Sequence, residues 1–193
     1  MTLDANVSAA AAQNNMPNYV AGILREGEVT FTTGGVANAD TGAPMTPDTV
    51  FRLYSMTKAV TTAAAMQLVE RGQADLDGPA SAYCGELGAV KVLAGFDDAS
   101  QPVLRAPARA ITLRDLLLHR AGFGYSMWNA DLTRYTAWAQ ESGVTPPPDM
   151  YFGMPLVFDP GEKWEYGVSI DWAGRVVEAI SGQDLEAFFA DNI

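Results

Sequence analysis

Apolar and β-branched residues cluster near the start of the chain in a pattern typical of β-structure. Two such runs, Tyr19–Arg25 and Val29–Val36, are separated by the glycine-containing residues 26–28, and this arrangement predicts an antiparallel hairpin. The alanine-rich segment Asp4–Asn14 predicts a short surface helix before the hairpin, and Thr49–Tyr54 predicts a further short strand. The start of the chain is therefore expected to form a small sheet with one helix.

From Met56 onward the apolar residues recur every three or four positions, which is the spacing of an amphipathic helix. The first such helix is predicted over Met56–Arg71, and Gly72 is well suited to end it. A second helix is expected to begin after Thr112, a favourable N-cap residue, although Asp115 is one carbon shorter than the Glu of a capping box. The helices predicted after the first are Ile111–His119, Asp131–Glu141, Ser169–Ile180 and Asp184–Ile193.

These predicted elements do not complete a sheet. A hairpin with one extra strand is marginal, because an independent sheet needs at least three strands with a buried face or a covering of helices. The last predicted helix also stops at the apolar Ile193 without a capping signal. We therefore expect residues 1–55 to begin an α/β domain and residues 56–193 to form a mostly helical domain. The remaining C-terminal part of the fold is expected on the same precursor or on a companion chain. Whether the protein also forms a homo-oligomer is left open.

Charge and composition exclude several classes of protein. The 193 residues include 12 Lys and Arg against 23 Asp and Glu, a net charge of −11, so the surface repels nucleic-acid phosphates. The single Cys84 and single His119 cannot supply a disulfide or a Cys/His metal site, and we predict neither metal nor cofactor. Residues 1–15 carry no basic residue, and no apolar run approaches the roughly 18 residues of a membrane span. These features predict a cytoplasmic protein without a membrane partner.

The candidate chemistry lies in Ser55-Met-Thr-Lys58, at the start of the strongest predicted helix. A separation of three residues places both side chains on one helix face, with Cβ atoms about 5–6 Å apart, within reach of a hydroxyl–amine hydrogen bond. To accept the serine proton at neutral pH, Lys58 must lose about 3 pKa units, which requires desolvation and a second cationic or donor group. Taken alone, the motif is better explained by an exposed helix-capping serine and a solvated lysine.

Two later blocks add to this motif. Val50–Lys58 is followed by an alanine-rich helix and by Gly-x-x-Asp-Leu-Asp-Gly-Pro at residues 72–79. Ile111–Phe123 contains Leu-Leu-Leu-His-Arg-Ala-Gly-Phe, and Phe158–Ser169 contains Pro-Gly-Glu-Lys-Trp-Glu-Tyr. In this order the blocks resemble those of the serine β-lactamase-like superfamily, which includes class C β-lactamases, DD-peptidases and family VIII carboxylesterases. The resemblance implies an α+β, β-lactamase/transpeptidase-like fold, with an antiparallel sheet flanked by helices and a mostly helical domain.

The resemblance also implies roles for individual residues. Ser55 would be the acylated nucleophile, with its backbone N–H forming half of an oxyanion hole, and Lys58 would be the base or proton relay. Tyr166 would move the proton between the serine and the leaving group. Tyr125, in the irregular segment after the second helix, would line the substrate pocket. His119 is expected to be a core histidine bonded to nearby backbone.

The chain departs from the superfamily pattern in two respects, and the first favours the esterase branch. β-Lactamases and peptidases usually have Tyr-x-Asn, whereas here the third position is Val168, which cannot donate a hydrogen bond. The strand motif that completes the oxyanion hole, Lys-Thr-Gly or Trp-Gly-Gly, does not occur in the 193 residues. We predict a serine hydrolase of the carboxylesterase type, acting on small short-acyl esters through a Ser55 acyl-enzyme. The alternatives are a β-lactamase or DD-peptidase, an acyltransferase of the same fold, and a binding protein on a catalytically dead scaffold.

Overall fold

The computed structural model describes residues 3–144 and 152–193. The chain forms two compact units, Met1–Leu53 and Tyr54–Ile193. The first unit contains helix α1 (Leu3–Gln13) and strands β1 (Tyr19–Arg25), β2 (Glu28–Gly34), β3 (Val36–Asn38) and β4 (Ala43–Pro44).

The predicted hairpin is confirmed as the antiparallel pair β1 and β2, in which Tyr19 lies opposite Gly34 and Arg25 opposite Glu28. The connecting residues Glu26 and Gly27 both have positive φ, 52° and 86°. A two-residue turn with φ > 0 at both positions matches the twist of the two strands. Helix α1, also predicted, packs against β2.

The first unit buries little of its own surface. Among residues 4–53, Thr32 is the only buried residue, and the side chains of Leu24 and Phe31 are 71% and 50% exposed. Strands β3 and β4 form a small additional pair that the sequence did not predict. The predicted strand Thr49–Tyr54 is wrong: its first five residues have no regular structure, and Val50 is 94% exposed. No strand pairs with this segment in the described part of the chain.

All five helices predicted for the second unit are present, within a few residues of their expected bounds. The elements of the second unit are α2 (Thr57–Glu70), β5 (Val92–Phe96), β6 (Pro102–Arg105), α3 (Leu113–Leu117), α4 (Ala130–Glu141), α5 (Ser169–Ser181) and α6 (Leu185–Asn192). The antiparallel hairpin β5–β6 was not predicted, because Gly95, at a break in its register, interrupts the apolar alternation. A 3-10 turn, Tyr54–Met56, leads directly into α2.

The core of the second unit lies between α2 and α5. Helix α3 packs against α5, and helix α6 packs against α2 and α5. Trp172 of α5 is almost fully buried, and its ring stacks on Phe123 with 5.7 Å between the ring centroids. Burial of large aromatic side chains of this kind is a main source of stabilisation. Other buried members of this core are Leu68, Leu116, Val168, Val176 and Phe188.

Helix α3 begins with a complete capping box, although Asp115 is shorter than the usual Glu. The Asp115 amide donates to the Thr112 hydroxyl (3.1 Å), and the Thr112 amide donates to the Asp115 carboxylate (3.0 Å). Arg109 holds the same carboxylate through two bonds of 2.6 and 2.8 Å. Burial alone would raise the pKa of Asp115, but Arg109 and Thr112 keep it below its usual value. The box fixes where α3 begins, and the remaining residues of the Ile111–Phe123 block follow from its C-terminal end.

Candidate active site

Ser55 lies exposed in the 3-10 turn immediately before α2. The preceding residue, Tyr54, has φ = 46°, a left-handed conformation that costs a bulky residue about 1–3 kcal/mol. The N-cap of α2 is Met56, and no side chain caps this helix. Ser55 is therefore not a capping serine, and none of the hydrogen bonds in the described part of the chain involves its hydroxyl group.

Lys58, the second residue of α2, is not a solvated lysine. Only 18% of its side chain is exposed. Its Nζ atom donates to the hydroxyl oxygen of Tyr125 at 3.5 Å and lies 3.9 Å from a carboxylate oxygen of Asp171. The same atom is 5.4 Å from the centroid of the Tyr166 ring, within the range of a cation–π interaction. Two tyrosines and one carboxylate thus surround the amine.

These neighbours keep Lys58 charged. Burial alone would lower the pKa of its ammonium group, but the carboxylate of Asp171 and the hydroxyl groups of Tyr125 and Tyr166 outweigh that effect, and the pKa is raised. This direction is opposite to the one a neutral lysine base requires. A cationic or donor group was expected beside Lys58, but a carboxylate lies there, so the geometry favours an ammonium at this position.

Tyr166 occupies the centre of an aromatic cluster. Its ring centroid lies 5.8 Å from that of Tyr125 and 4.8 Å from that of His119. Trp128 and Trp164 flank the same ring at 5.7 and 6.4 Å, and each remains about two-thirds exposed, at 65% and 64%. Largely exposed indole rings of this kind offer apolar contact area to a small molecule.

Two distant sequence blocks form this cluster because their backbones run side by side. The Glu165 amide donates to the His119 carbonyl (3.0 Å), and the Val157 amide donates to the Gly122 carbonyl (2.8 Å). The approach is so close that a Cβ atom at Gly122 would lie 2.5 Å from the Phe158 carbonyl oxygen. Glycine is required where the backbone has positive φ and another chain segment is this near, and Gly122 has φ = 100°.

His119 differs from its expected role. It is buried as predicted, but its ring nitrogen Nδ1 has no hydrogen-bond partner within the described residues, whereas its backbone N–H and C=O groups are bonded. Its backbone has φ = 54°, and its imidazole packs against Tyr166. Burial, followed by the nearby positive charge of Lys58, lowers the pKa of the imidazole. Burial therefore favours the neutral form of the His119 ring where it contacts Tyr166.

Two residues at the start of α5, Val168 and Asp171, also bear on the site around Lys58. Val168 occupies the position of the Asn in the Tyr-x-Asn pattern. It is 2% exposed and packs in the hydrophobic core, so it presents no group to the site. Asp171, three residues later, was missed by the sequence analysis. An acidic residue in the first turn of a helix is common for its interaction with the helix dipole, so its position alone gives no signal of a contact with Lys58.

The structure thus brings Lys58, Tyr125 and Tyr166 into one cluster, with Ser55 in the turn just before the lysine. Within residues 3–144 and 152–193, no group of three or more His, Cys, Asp and Glu side chains is arranged to hold a metal ion. No helix in the same part of the chain is both long and apolar enough to cross a membrane.

Comparison with known proteins identifies the family. The Beta-lactamase family model matches residues 3–193, so the chain belongs to this family and has the β-lactamase/transpeptidase-like fold. Monacolin J acid methylbutanoyltransferase of Aspergillus terreus is 41% identical over 155 residues, which cover 78% of this chain and 37% of that protein. Lovastatin esterase of Penicillium rubens is 41% identical over 152 residues, with 78% and 38% covered.

A solved structure gives the same result. Unliganded simvastatin synthase from Aspergillus terreus superposes with a TM-score of 0.83 at 34% identity, covering 96% of this chain and 49% of that one. The chain therefore spans less than half the length of these relatives. The relatives are acyltransferases and esterases of the β-lactamase fold, two activities that differ in the molecule accepting the acyl group.

Proposed function

We propose that the intact protein is a serine carboxylesterase of the family VIII type, which hydrolyses short-acyl esters through an acyl-enzyme on Ser55. The observation that carries this proposal is the position of Ser55, exposed next to a strained residue and directly before a helix whose Lys58 contacts two tyrosines. The acyltransferase and esterase relatives support the same chemistry, because both reactions transfer an acyl group.

The proposed reaction has two balanced steps. The Ser55 oxygen attacks the ester carbonyl, the hydroxyl oxygen of Tyr166 takes the serine proton, and Tyr166 passes its own proton to the leaving alcohol oxygen. The C–O bond to the alcohol breaks and an acyl-Ser55 ester remains. Water then attacks that ester by the same relay, releasing the acid and restoring the Ser55 hydroxyl. The backbone N–H of Ser55 would stabilise the oxyanion in both steps.

The test is hydrolysis of p-nitrophenyl acetate and butyrate by the intact protein and by its Ser55→Ala variant. We expect the wild type to turn over both esters and the variant to fall to background. A matched control is Ser100→Ala, which removes a hydroxyl group from the exposed loop between β5 and β6. Full activity in Ser55→Ala would refute the proposed mechanism.

Acyl transfer to an alcohol or amine is the second candidate. The methylbutanoyltransferase relative, at 41% identity, specifically favours it. Adding an alcohol acceptor to the p-nitrophenyl butyrate reaction separates the two functions. An esterase releases mainly butyric acid, whereas a transferase forms mainly the new ester, and its total turnover increases with acceptor concentration.

Two further alternatives have less support. A β-lactamase or DD-peptidase would turn over nitrocefin or penicillin faster than simple esters, but Val168 lies in the core where an amide donor would be needed. A catalytically dead binding protein would leave Ser55 unreactive toward a fluorophosphonate probe. Mass spectrometry of the labelled intact protein distinguishes this alternative from the enzymatic ones.

A further inference from the structure

Asp171 is the one carboxylate that contacts the Lys58 amine in the described part of the chain. We propose that Asp171 is a positioning residue, which holds the Lys58 ammonium between Tyr125 and Tyr166 so that Lys58 acts in its charged form. This inference rests on the proposed function and deepens it, because it assigns the proton relay to a tyrosine and a fixed positive charge to the lysine.

The contact differs from an ion pair between two exposed side chains, because only 18% of the Lys58 side chain is exposed. The Nζ atom of Lys58 lies 3.9 Å from the Asp171 oxygen, longer than a direct hydrogen bond, while its bond to Tyr125 is 3.5 Å. The lysine side chain is largely covered and the aspartate side chain is 44% exposed. An ammonium with one carboxylate on one side and two phenol groups on the others has few alternative positions.

The charges facing Lys58 come from three elements. Asp171 approaches from α5, Tyr166 from the segment before α5, and Tyr125 and His119 from the segment after α3. His119 is the only one of these whose protonation would place a second positive charge near the ammonium, and its burial disfavours that form. Asp171 is therefore the group whose removal changes the charge balance at Lys58 most directly.

A lysine that stays protonated cannot accept the serine proton. Its charge can still act, because an ammonium near a tyrosine ring and hydroxyl favours negative charge developing on the proton relay and on the oxyanion. Asp171 would then set the pH above which this positive charge disappears. A role limited to the dipole of α5 would instead affect folding stability and leave the pH dependence of the reaction unchanged.

The experiment compares wild type with Asp171→Asn, Asp171→Glu and a control, Glu186→Gln. Glu186 lies exposed in the first turn of α6, so its variant removes one negative charge from a comparable helix position. Two quantities are measured as a function of pH: kcat/KM for p-nitrophenyl butyrate and the rate of fluorophosphonate labelling of Ser55. Brief pH jumps between about pH 6 and 11 cover the pH range in which lysine and tyrosine side chains titrate. Thermal unfolding checks that each variant is folded.

We expect Asp171→Asn to lower kcat/KM by about 10- to 100-fold, the loss typical of a displaced reactive group. The alkaline limb of its pH profile of kcat/KM should move to lower pH. Asp171→Glu should restore the limb toward the wild-type position, and Glu186→Gln should leave it in place. An acid limb that moves to lower pH, with faster reaction near neutral pH, would show that Lys58 acts as a neutral base and would overturn the proposal.

A uniform loss of rate without any movement of the profile would also overturn it, because Asp171 would then have only a structural role. The proposed function fails separately. If wild-type protein neither hydrolyses the ester nor labels at Ser55, the acyl-enzyme is wrong and the role of Asp171 falls with it. If the wild type reacts normally and the pH profile of Asp171→Asn does not move, the esterase proposal stands and this inference is rejected.

Discussion

The Lys58 amine donates a hydrogen bond to the hydroxyl group of Tyr125, at 3.5 Å, and this is its one hydrogen bond within the described residues. The second tyrosine, Tyr166, instead places its ring 5.4 Å from the same nitrogen. The family resemblance implies the proton relay for Tyr166 and only a pocket-lining position for Tyr125. The two phenols therefore differ in their contact with the lysine, and their roles are separable by experiment.

We predict that Tyr166→Phe lowers kcat for p-nitrophenyl butyrate by about 100-fold or more, as expected for loss of a proton-transfer group. Tyr125→Phe should cost about tenfold, because it removes one hydrogen bond that orients Lys58 without removing the relay. Burial, followed by the carboxylate of Asp171, raises the pKa of Tyr125, so its hydroxyl stays protonated at neutral pH. A larger loss in Tyr125→Phe than in Tyr166→Phe would exchange the two roles.

Gly122→Ala should be strongly destabilising. The residue has φ = 100°, and a Cβ atom there would lie 2.5 Å from the Phe158 carbonyl oxygen. We expect a loss of about 2–5 kcal/mol in the free energy of unfolding, combining the left-handed conformation with overpacking. Gly182→Ala is the matched control, because Gly182 has φ = 71° but no atom within 4 Å of the added Cβ.

Urea denaturation of both glycine variants provides the measurement. Gly182→Ala should lose only the conformational contribution, about 1–2 kcal/mol. Equal losses in the two variants would mean that the chain segments around Gly122 separate easily, and that the close approach of the two sequence blocks contributes little to stability.

The capping box of α3 predicts a loss of stability on removing one hydroxyl group. Thr112→Val keeps the β-branched shape but removes the acceptor for the Asp115 amide, and should lower the free energy of unfolding by about 1 kcal/mol. Thr112→Ser retains the hydroxyl group and should remain close to wild type. Chemical denaturation of the three proteins at neutral pH tests this, and equal stability of the Val and Ser variants would contradict a capping contribution.

Asp159 predicts how stability changes in acid. The Arg105 guanidinium and the Ala108 amide lower the pKa of Asp159 from 3.8 to about 2. Because the folded-state pKa is the lower one, this stabilisation is present above the unfolded pKa and is lost as pH falls from about 4 through about 2. Asp159→Asn should therefore be less stable than wild type at neutral pH and show a smaller decline over that interval.

The control for this pH dependence is Asp98→Asn, which changes an exposed loop carboxylate. It shows how much of any change comes from removing one loop carboxylate and not from breaking the Arg105–Asp159 pair. If Asp159→Asn and wild type decline in parallel between about pH 4 and 2, the Arg105–Asp159 pair does not contribute to the acid sensitivity of the fold.

Local features of the sequence were predictable because their causes lie within a few residues of each other. The β1–β2 hairpin follows from alternating residues and a glycine-containing turn, and the helices follow from apolar spacing, as in α2 and α5. The strand predicted at Thr49–Tyr54 failed for the complementary reason: a strand requires a partner, and none pairs with it among the described residues. Hairpin β5–β6 was missed because Gly95 obscures its alternation.

The amino-acid pattern was sufficient to indicate the family and to nominate Ser55, Lys58, Tyr125 and Tyr166, whose assigned roles stay predictions. It could not show that Asp171, 113 positions after Lys58, contacts the amine and reverses the expected direction of its pKa shift. Nor could it show that the ring of His119 packs on Tyr166. Charge interactions depend on separation in space, and the distance between side chains on α2 and α5 is determined by core packing around residues such as Trp172.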